Sequence, residues 1–266
     1  MQQLPPLTHV SLNARIGYSP IGNWQYSRVD SLFPPQTKFT RGTVWESGLL
    51  CNLTSNTFRN QTDTLPSAVT RHKTDVETAI HRSLRGDSYV YEMLQYSMGW
   101  LTLAPEHPAP TKGKAIRSAL CLLACEAVGG VSSKALPAAI SLELVHHFSL
   151  IHDDIVDESS LRRGWPTIGR VWKNKISLLV GDYIFSKSLS TIICLDDFDS
   201  IKILSNAADR LSKGEILQIQ ESKKGKMNED IYYKMITDKT ASLFMAATEL
   251  SAKASSSKNT DIENFK

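Results

Sequence analysis

Cysteine is scarce in this chain, and nothing in its placement suggests a metal ligand set. The 266 residues contain four, Cys51, Cys121, Cys125 and Cys194, with no CxxC pair and no His/Cys spacing of the kind zinc requires. They read as buried thiols of a reducing, cytoplasmic compartment. Charge of one sign is also lacking. A net charge of +3 gives no reason to expect a nucleic acid or another polyanion as partner. No run of 18 apolar residues is present, so no membrane span is expected, and no apolar stretch marks a secretory signal. The sequons at Asn52 and Asn60 are therefore read as chance. Strand-like alternation, internal repeats, a dinucleotide-binding glycine motif and a Ser/His/Asp set are missing as well.

What is present divides in two. Residues 1–70 are rich in Pro, Ser, Thr and Asn and poor in acids before Asp63, and they show no sustained helical period. They read as a low-order extension, with an organellar transit peptide as the alternative. Residues 71–266 read as one helical domain. Val76, Ile80, Leu84, Tyr91, Leu94 and Met98 recur at helical intervals around a break at Arg85-Gly86-Asp87. Pro105, Pro108 and Pro110 rule out a regular helix there. An apolar helix over 118–128 is expected to stop at Gly129-Gly130. The next is expected over about 135–158, capped by Ser132 or Ser133 with Pro137 in its first turn. Further helices are expected over 172–193, 201–222 and 230–254, with Asp196-Asp197-Phe198-Asp199 as a linker and cap.

Chemistry concentrates in the third of these helices, ELVHHFSLIHDDIVDESSLRRG over 143–164. Asp153 and Asp157 lie one turn apart on one face, and His146 lies two turns before Asp153. Two carboxylates so placed repel unless a cation answers them. A hard divalent ion such as Mg²⁺ suits oxygen ligands shared with phosphate. Arg162 and Arg163 are of the type that grips phosphate. Alone, such a motif is more often a solvated helix end than a metal site. Upstream, Gly113-Lys114-Ala115-Ile116-Arg117 puts two cations at a helix N-terminus, which is either a diphosphate seat or a solvated basic turn. Lys239-Thr240, polar among apolar neighbours, calls for an anion or an acceptor.

Taken in order, Gly113-Lys114-x-x-Arg117, His146, the DDIVD of 153–157, Arg162-Arg163-Gly164, Gly181-Asp182-Tyr183 and Lys239-Thr240 resemble the trans-isoprenyl diphosphate synthases, the polyprenyl synthetase family. The likeness covers about residues 75–254. It implies an all-α, isoprenoid-synthase-type bundle around a central cavity, in a homodimer or a heterodimer. It also implies condensation of isopentenyl diphosphate with an allylic diphosphate. By motif, Asp153 and Asp157 would ligate Mg²⁺, supported by Asp154, and Arg162 would contact the allylic diphosphate. Lys114, Arg117, His146 and Arg163 would hold isopentenyl diphosphate, while Lys239 and Thr240 would reach the leaving group. In this family a bulky aromatic five residues before the first aspartate, here Phe148, tends to limit the product to about geranylgeranyl length. Five residues back is 140° around the helix from Asp153, however, so helical phase does not aim Phe148 along the same stripe.

Two features depart from the family pattern. The basic cluster is GKAIRS where GKRxRP is usual, and no second Asp-rich motif occurs in these residues. The expectation is a domain truncated at its C-terminus. The alternatives are a non-catalytic subunit of a heteromeric synthase, an inactive or poorly folding fragment, and a helical scaffold without chemistry.

Overall fold

The computed structural model describes residues 67–86, 88–103, 113–225 and 228–255. The expectations for Cys51, the two sequons, the prolines at 105–110 and all but the last four residues of the 1–70 extension lie outside these residues. The helix that carries the acidic motif is also the one the others pack around. This is α5 (Ser132–Val156), 25 residues long, and it buries Ala135, Ala138, Ala139, Leu142, Leu144, Val145 and Ile151. Small residues along this buried stretch let neighbouring helices approach closely, while the leucines fill the space between them.

Around it, in chain order, come α1 (Ser67–Thr70), α2 (Lys73–Leu84), α3 (Ser88–Ser97) and α4 (Ile116–Ala127), followed after α5 by α6 (Ile168–Trp172) and α7 (Asn174–Ile192). Then come α8 (Phe198–Lys224), α9 (Glu229–Ile236) and α10 (Ser242–Ala254). Helices α4, α7 and α10 make the main contacts with α5. The all-α expectation therefore holds, and the helical body begins at Ser67, slightly before the expected boundary.

Several local expectations need correction. α5 starts at Ser132 with Val131, extended at ψ 117°, as its N-cap, and no side chain caps it. The first turn is closed instead by Lys134 N donating to Val131 O at 2.9 Å. Pro137 therefore lies in the second turn, where its missing N–H leaves the Ser133 carbonyl without its usual helical donor. The helix expected over 172–193 is divided into α6 and α7 by Lys173, at φ 78°. The stretch 196–199 does cap a helix: the Asp197 carboxylate accepts from Ser200 N at 2.9 Å. Cys121 and Cys125 are buried as expected, but Cys194 is exposed at the end of α7.

A small antiparallel hairpin was not anticipated. β1 (Leu161–Arg162) pairs with β2 (Trp165–Pro166), and both turn residues, Arg163 at φ 54° and Gly164 at φ 83°, are left-handed. Such turns match the twist of paired strands. A non-glycine residue in that region is disfavoured by roughly 1 kcal/mol, so Arg163 is held there by its surroundings. The hairpin is tied down by Tyr96, whose hydroxyl donates to Pro166 O at 2.7 Å, and by Thr167, whose hydroxyl donates to Ser159 O at 2.9 Å.

The segment Asn174–Leu195, which is α7 and its following turn, is long and apolar enough to cross a membrane by length and composition. In the fold it is a bundle helix with one face buried through Val180, Gly181, Ile184, Ser188 and Ile192. Leu178, Leu179 and Ile193 remain exposed on it.

Candidate active site

The C-terminal turns of α5 divide two groups of charged residues. On one side lies a cavity of about 410 Å³ whose lining includes Lys114, Arg117, His146, Arg162, Arg163 and Asp154. The five residues expected to hold diphosphate at this end are thus brought together from α4, α5 and the hairpin. They meet an apolar wall that includes Ile80, Tyr96, Trp100 and Phe244.

The route to this arrangement differs from the sequence expectation at one point. Lys114 and Arg117 were expected three apart on a helix. Ala115, left-handed at φ 49°, is instead the N-cap of α4, so Lys114 precedes the helix and reaches the cavity from the turn. Arg117 is inside α4 and largely buried. Its guanidinium lies over the Phe244 ring, 4.7 Å from the centroid, and its Nε has no hydrogen-bond partner. Burial pulls its pKa down, and the nearby Glu143 carboxylate pushes it back up. The Glu143 carboxylate accepts from the Ser118 hydroxyl at 3.2 Å.

Arg162 is held by Asp154. Its Nε donates to both carboxylate oxygens, at 3.0 and 2.9 Å, and its Nη2 lies 2.8 Å from Oδ1. A guanidinium fixed in this way keeps its orientation while other donors remain available. His146 and His147 are neutral in this environment. Burial, reinforced by Arg117 and the hairpin arginines, lowers His146 to about 3. Burial, then Arg162 and Arg163, lowers His147 to about 4. His147 Nε2 lies 3.0 Å from the Ser97 hydroxyl.

On the other side of the same turns the sign reverses. Asp153 is pushed up to about 6, first by burial and then by Glu215, with Asp157 adding to the rise and Lys239 and Arg162 opposing it. Asp157 is exposed and forms the C-cap of α5, with its N–H bonded to Asp153 O at 2.8 Å. Lys239 forms an ion pair with Glu215 and donates to Gln218 Oε1 at 3.0 Å. It lies in a π-helical segment, Thr237–Ala241, between α9 and α10. Thr240 is exposed on the same segment.

Phe148 belongs to neither group. Its ring packs against Phe185 of α7, centroids 4.8 Å apart, and against His152 at 4.9 Å. Gly181 makes that packing possible, since a Cβ there would collide with the His152 ring.

Among the described residues no group of three His, Cys, Asp or Glu side chains is placed to hold a metal ion by itself. The donors at Asp153 and Asp157 are nonetheless all oxygen, and Asp153 is raised first by burial and then by the Glu215 carboxylate. That chemistry suits a hard divalent ion completed by ligand oxygens.

Glu215 and Gln218 were missed as site residues, although a signal was present. Leu204, Ala207, Ala208, Leu211 and Gly214 form a buried helical stripe on α8, and Glu215 interrupts it with a charge that requires a partner.

Comparison with known proteins bears on the family and the fold. A family model described as polyprenyl synthetase matches residues 99–266. An all-trans-nonaprenyl-diphosphate synthase (geranyl-diphosphate specific) of Rhodobacter capsulatus is 35% identical over 61% of this chain and 50% of its own length. A short chain isoprenyl diphosphate synthase of Methanothermobacter thermautotrophicus is 37% identical over 57% of this chain and 48% of its own. A solved polyprenyl synthase from Caulobacter crescentus CB15, complexed with calcium and isoprenyl diphosphate, is 26% identical with a TM-score of 0.66, covering 75% of this chain and 59% of that one. The chain spans about half the length of the curated relatives it matches.

Proposed function

The chain belongs to the polyprenyl synthetase family, and on that premise we propose that it condenses isopentenyl diphosphate with an allylic diphosphate to give a trans-prenyl diphosphate. The observation that carries the reading is the basic cavity set directly against the Asp153 and Asp157 carboxylates, with only the end of α5 between them. Two diphosphates need two seats, and the two sides of α5 differ in the way such seats must differ.

In the reaction, the allylic C–O bond breaks and its electron pair leaves with pyrophosphate. The isopentenyl double bond attacks the allylic carbon, and the resulting cation gives up a proton to the released pyrophosphate. Lys114, Arg117 and Arg163 hold the isopentenyl diphosphate by charge. His146, neutral there, supplies a hydrogen bond, and Asp154 fixes Arg162 at the border between the two seats. Lys239 and Thr240 face the leaving group. Asp153 and Asp157 would hold Mg²⁺, which supplies positive charge against the departing pyrophosphate. The apolar wall around Tyr96 and Trp100 keeps water from the reacting carbons.

For product length, the reading is about geranylgeranyl. Its support is the Phe148 ring, fixed between Phe185 and His152. The matched relatives make both short and long products, so Phe148→Ala is the direct test, and unchanged product length would count against the reading. The exposed Leu178 and Leu179 of α7, with Ile193 just beyond its end, support assembly with a second copy of this chain or with a related subunit. Light scattering of the purified protein tests it, and a monomer at micromolar concentration would refute it.

Incubation with Mg²⁺, radiolabelled isopentenyl diphosphate and an allylic diphosphate tests the function. Lipid-extractable label is the expected result. A second reading, a subunit that binds diphosphates without turnover, is favoured by the lack of a three-carboxylate group among the described residues. It gives diphosphate binding and no label.

A further inference from the structure

One face of α8 closes on the π-helical segment that carries Lys239. Residues 210, 214, 215 and 218 share that face, and each meets the segment in its own way. Arg210 Nε donates to Asp238 Oδ1 at 2.8 Å, anchoring the residue beside Lys239. Gly214 leaves room for the backbone: a Cβ there would fall 2.8 Å from the Cα and Cβ of Lys239, and nearer still to its N. Glu215, only 8% exposed, pairs with the ammonium. Gln218 accepts from it through Oε1 at 3.0 Å.

A carboxylate that merely neutralised a nearby lysine would need none of the other three contacts. Here the clearance at Gly214 is directed at the main chain of Lys239, and the Arg210 pair secures the preceding residue. π-Helical turns insert an extra residue into a helix and recur at functional positions. An ammonium has three N–H donors; here one goes to Gln218 Oε1, while the charge as a whole is paired with Glu215.

We propose that Gly214, Glu215 and Gln218 are positioning residues that fix the Lys239 ammonium so that a donor not used by Gln218 meets a diphosphate oxygen. The proposal rests on the diphosphate reading above for its ligand, but the seat itself can be tested without that reading.

The test uses the full chain as wild type and as Gln218→Ala, Gly214→Ala and Glu215→Gln. Lysines are acetylated with a succinimidyl ester, and Lys239 labelling is compared by mass spectrometry with that of Lys213, which is exposed on the same helix. In parallel, Mg²⁺-dependent binding of inorganic pyrophosphate is measured by calorimetry. Gln218→Ala and Gly214→Ala change no charge, so each is expected to raise Lys239 labelling several-fold and to weaken pyrophosphate by about tenfold through misplacement alone. Should Gly214→Ala fail to fold, Gln218→Ala and Glu215→Gln carry the comparison. Unchanged Lys239 labelling in these two overturns the seat, whatever pyrophosphate does. Raised labelling with pyrophosphate binding unaltered overturns the claim that the seat serves a diphosphate. Raised labelling in a protein whose wild type binds no pyrophosphate upholds the seat and overturns the functional reading instead.

Discussion

Asp153 and Asp154 are adjacent in the sequence and face opposite surroundings in the fold. Asp154 is clasped by the Arg162 guanidinium and borders a cavity of cations. Asp153, rotated by about 100° on the helix, is driven up to about 6 by burial first and then by Glu215, with Asp157 adding to the rise. A single helix end therefore keeps an anion-attracting side apart from a cation-attracting side. The difference teaches that the acidic motif is not one site with three equivalent carboxylates: its middle residue serves the arginine side, and its outer residues serve the other.

The largest expected effect falls on the carboxylate side. Asp153→Asn should lower turnover by about 10²–10³-fold while leaving metal-free binding of isopentenyl diphosphate near wild type, and initial rates with separate binding titrations check both. Equal losses in the two assays would break the division. Next comes Lys114→Ala on the cavity side. The side chain is exposed, so folding should be untouched, and KM for isopentenyl diphosphate should rise about tenfold with kcat unchanged.

A double-mutant cycle on Asp154→Asn and Arg162→Lys sharpens the middle of the comparison. The bidentate pair is only partly shielded from solvent, so a coupling of about 1 kcal/mol is expected in urea unfolding. Coupling near zero would separate Asp154 from the arginine side.

The two histidines extend the comparison to pH dependence. His146 and His147 take a proton at the ordinary 6.5 when unfolded, but only at about 3 and about 4 when folded. Below about 6.5 the unfolded chain then binds more protons, so these two residues lower stability as pH falls towards 4. Melting temperatures of wild type and of His146→Gln with His147→Gln, compared at pH 7 and pH 5, isolate their share from that of the carboxylates. The variant should lose less on acidification.

Much of this was legible in residue order. The apolar density of 135–151 marks the central helix, and the acidic, basic and Lys-Thr motifs fix which residues gather near its end. The rest depended on information that spacing does not carry. A left-handed Ala115 moves Lys114 off the helix, and no local preference announces that conformation in alanine. Arg163 in a hairpin turn is similar: the Arg-Gly pair gives a turn, but Tyr96, 67 positions earlier, ties the hairpin down. Lys239 could be singled out, but its partners lie on α8, and only packing joins them. The phase argument on Phe148 agrees with the structure, which turns the ring towards α7.

The π-helical turn at Thr237–Ala241 bears on how this region tolerates insertion and deletion. Its path is one residue longer than an α-helical route between the same two ends would need. Removing a single codon there would let α9 run straight into α10 with the faces of both helices still in phase, so Leu243, Ala246, Ala247 and Leu250 would keep their places in the core. What would disappear is the π-helical turn that sets Lys239 and Thr240 where they are. A gene shortened by three nucleotides at this point would encode a folded bundle with Lys239 drawn away from Glu215 and Gln218.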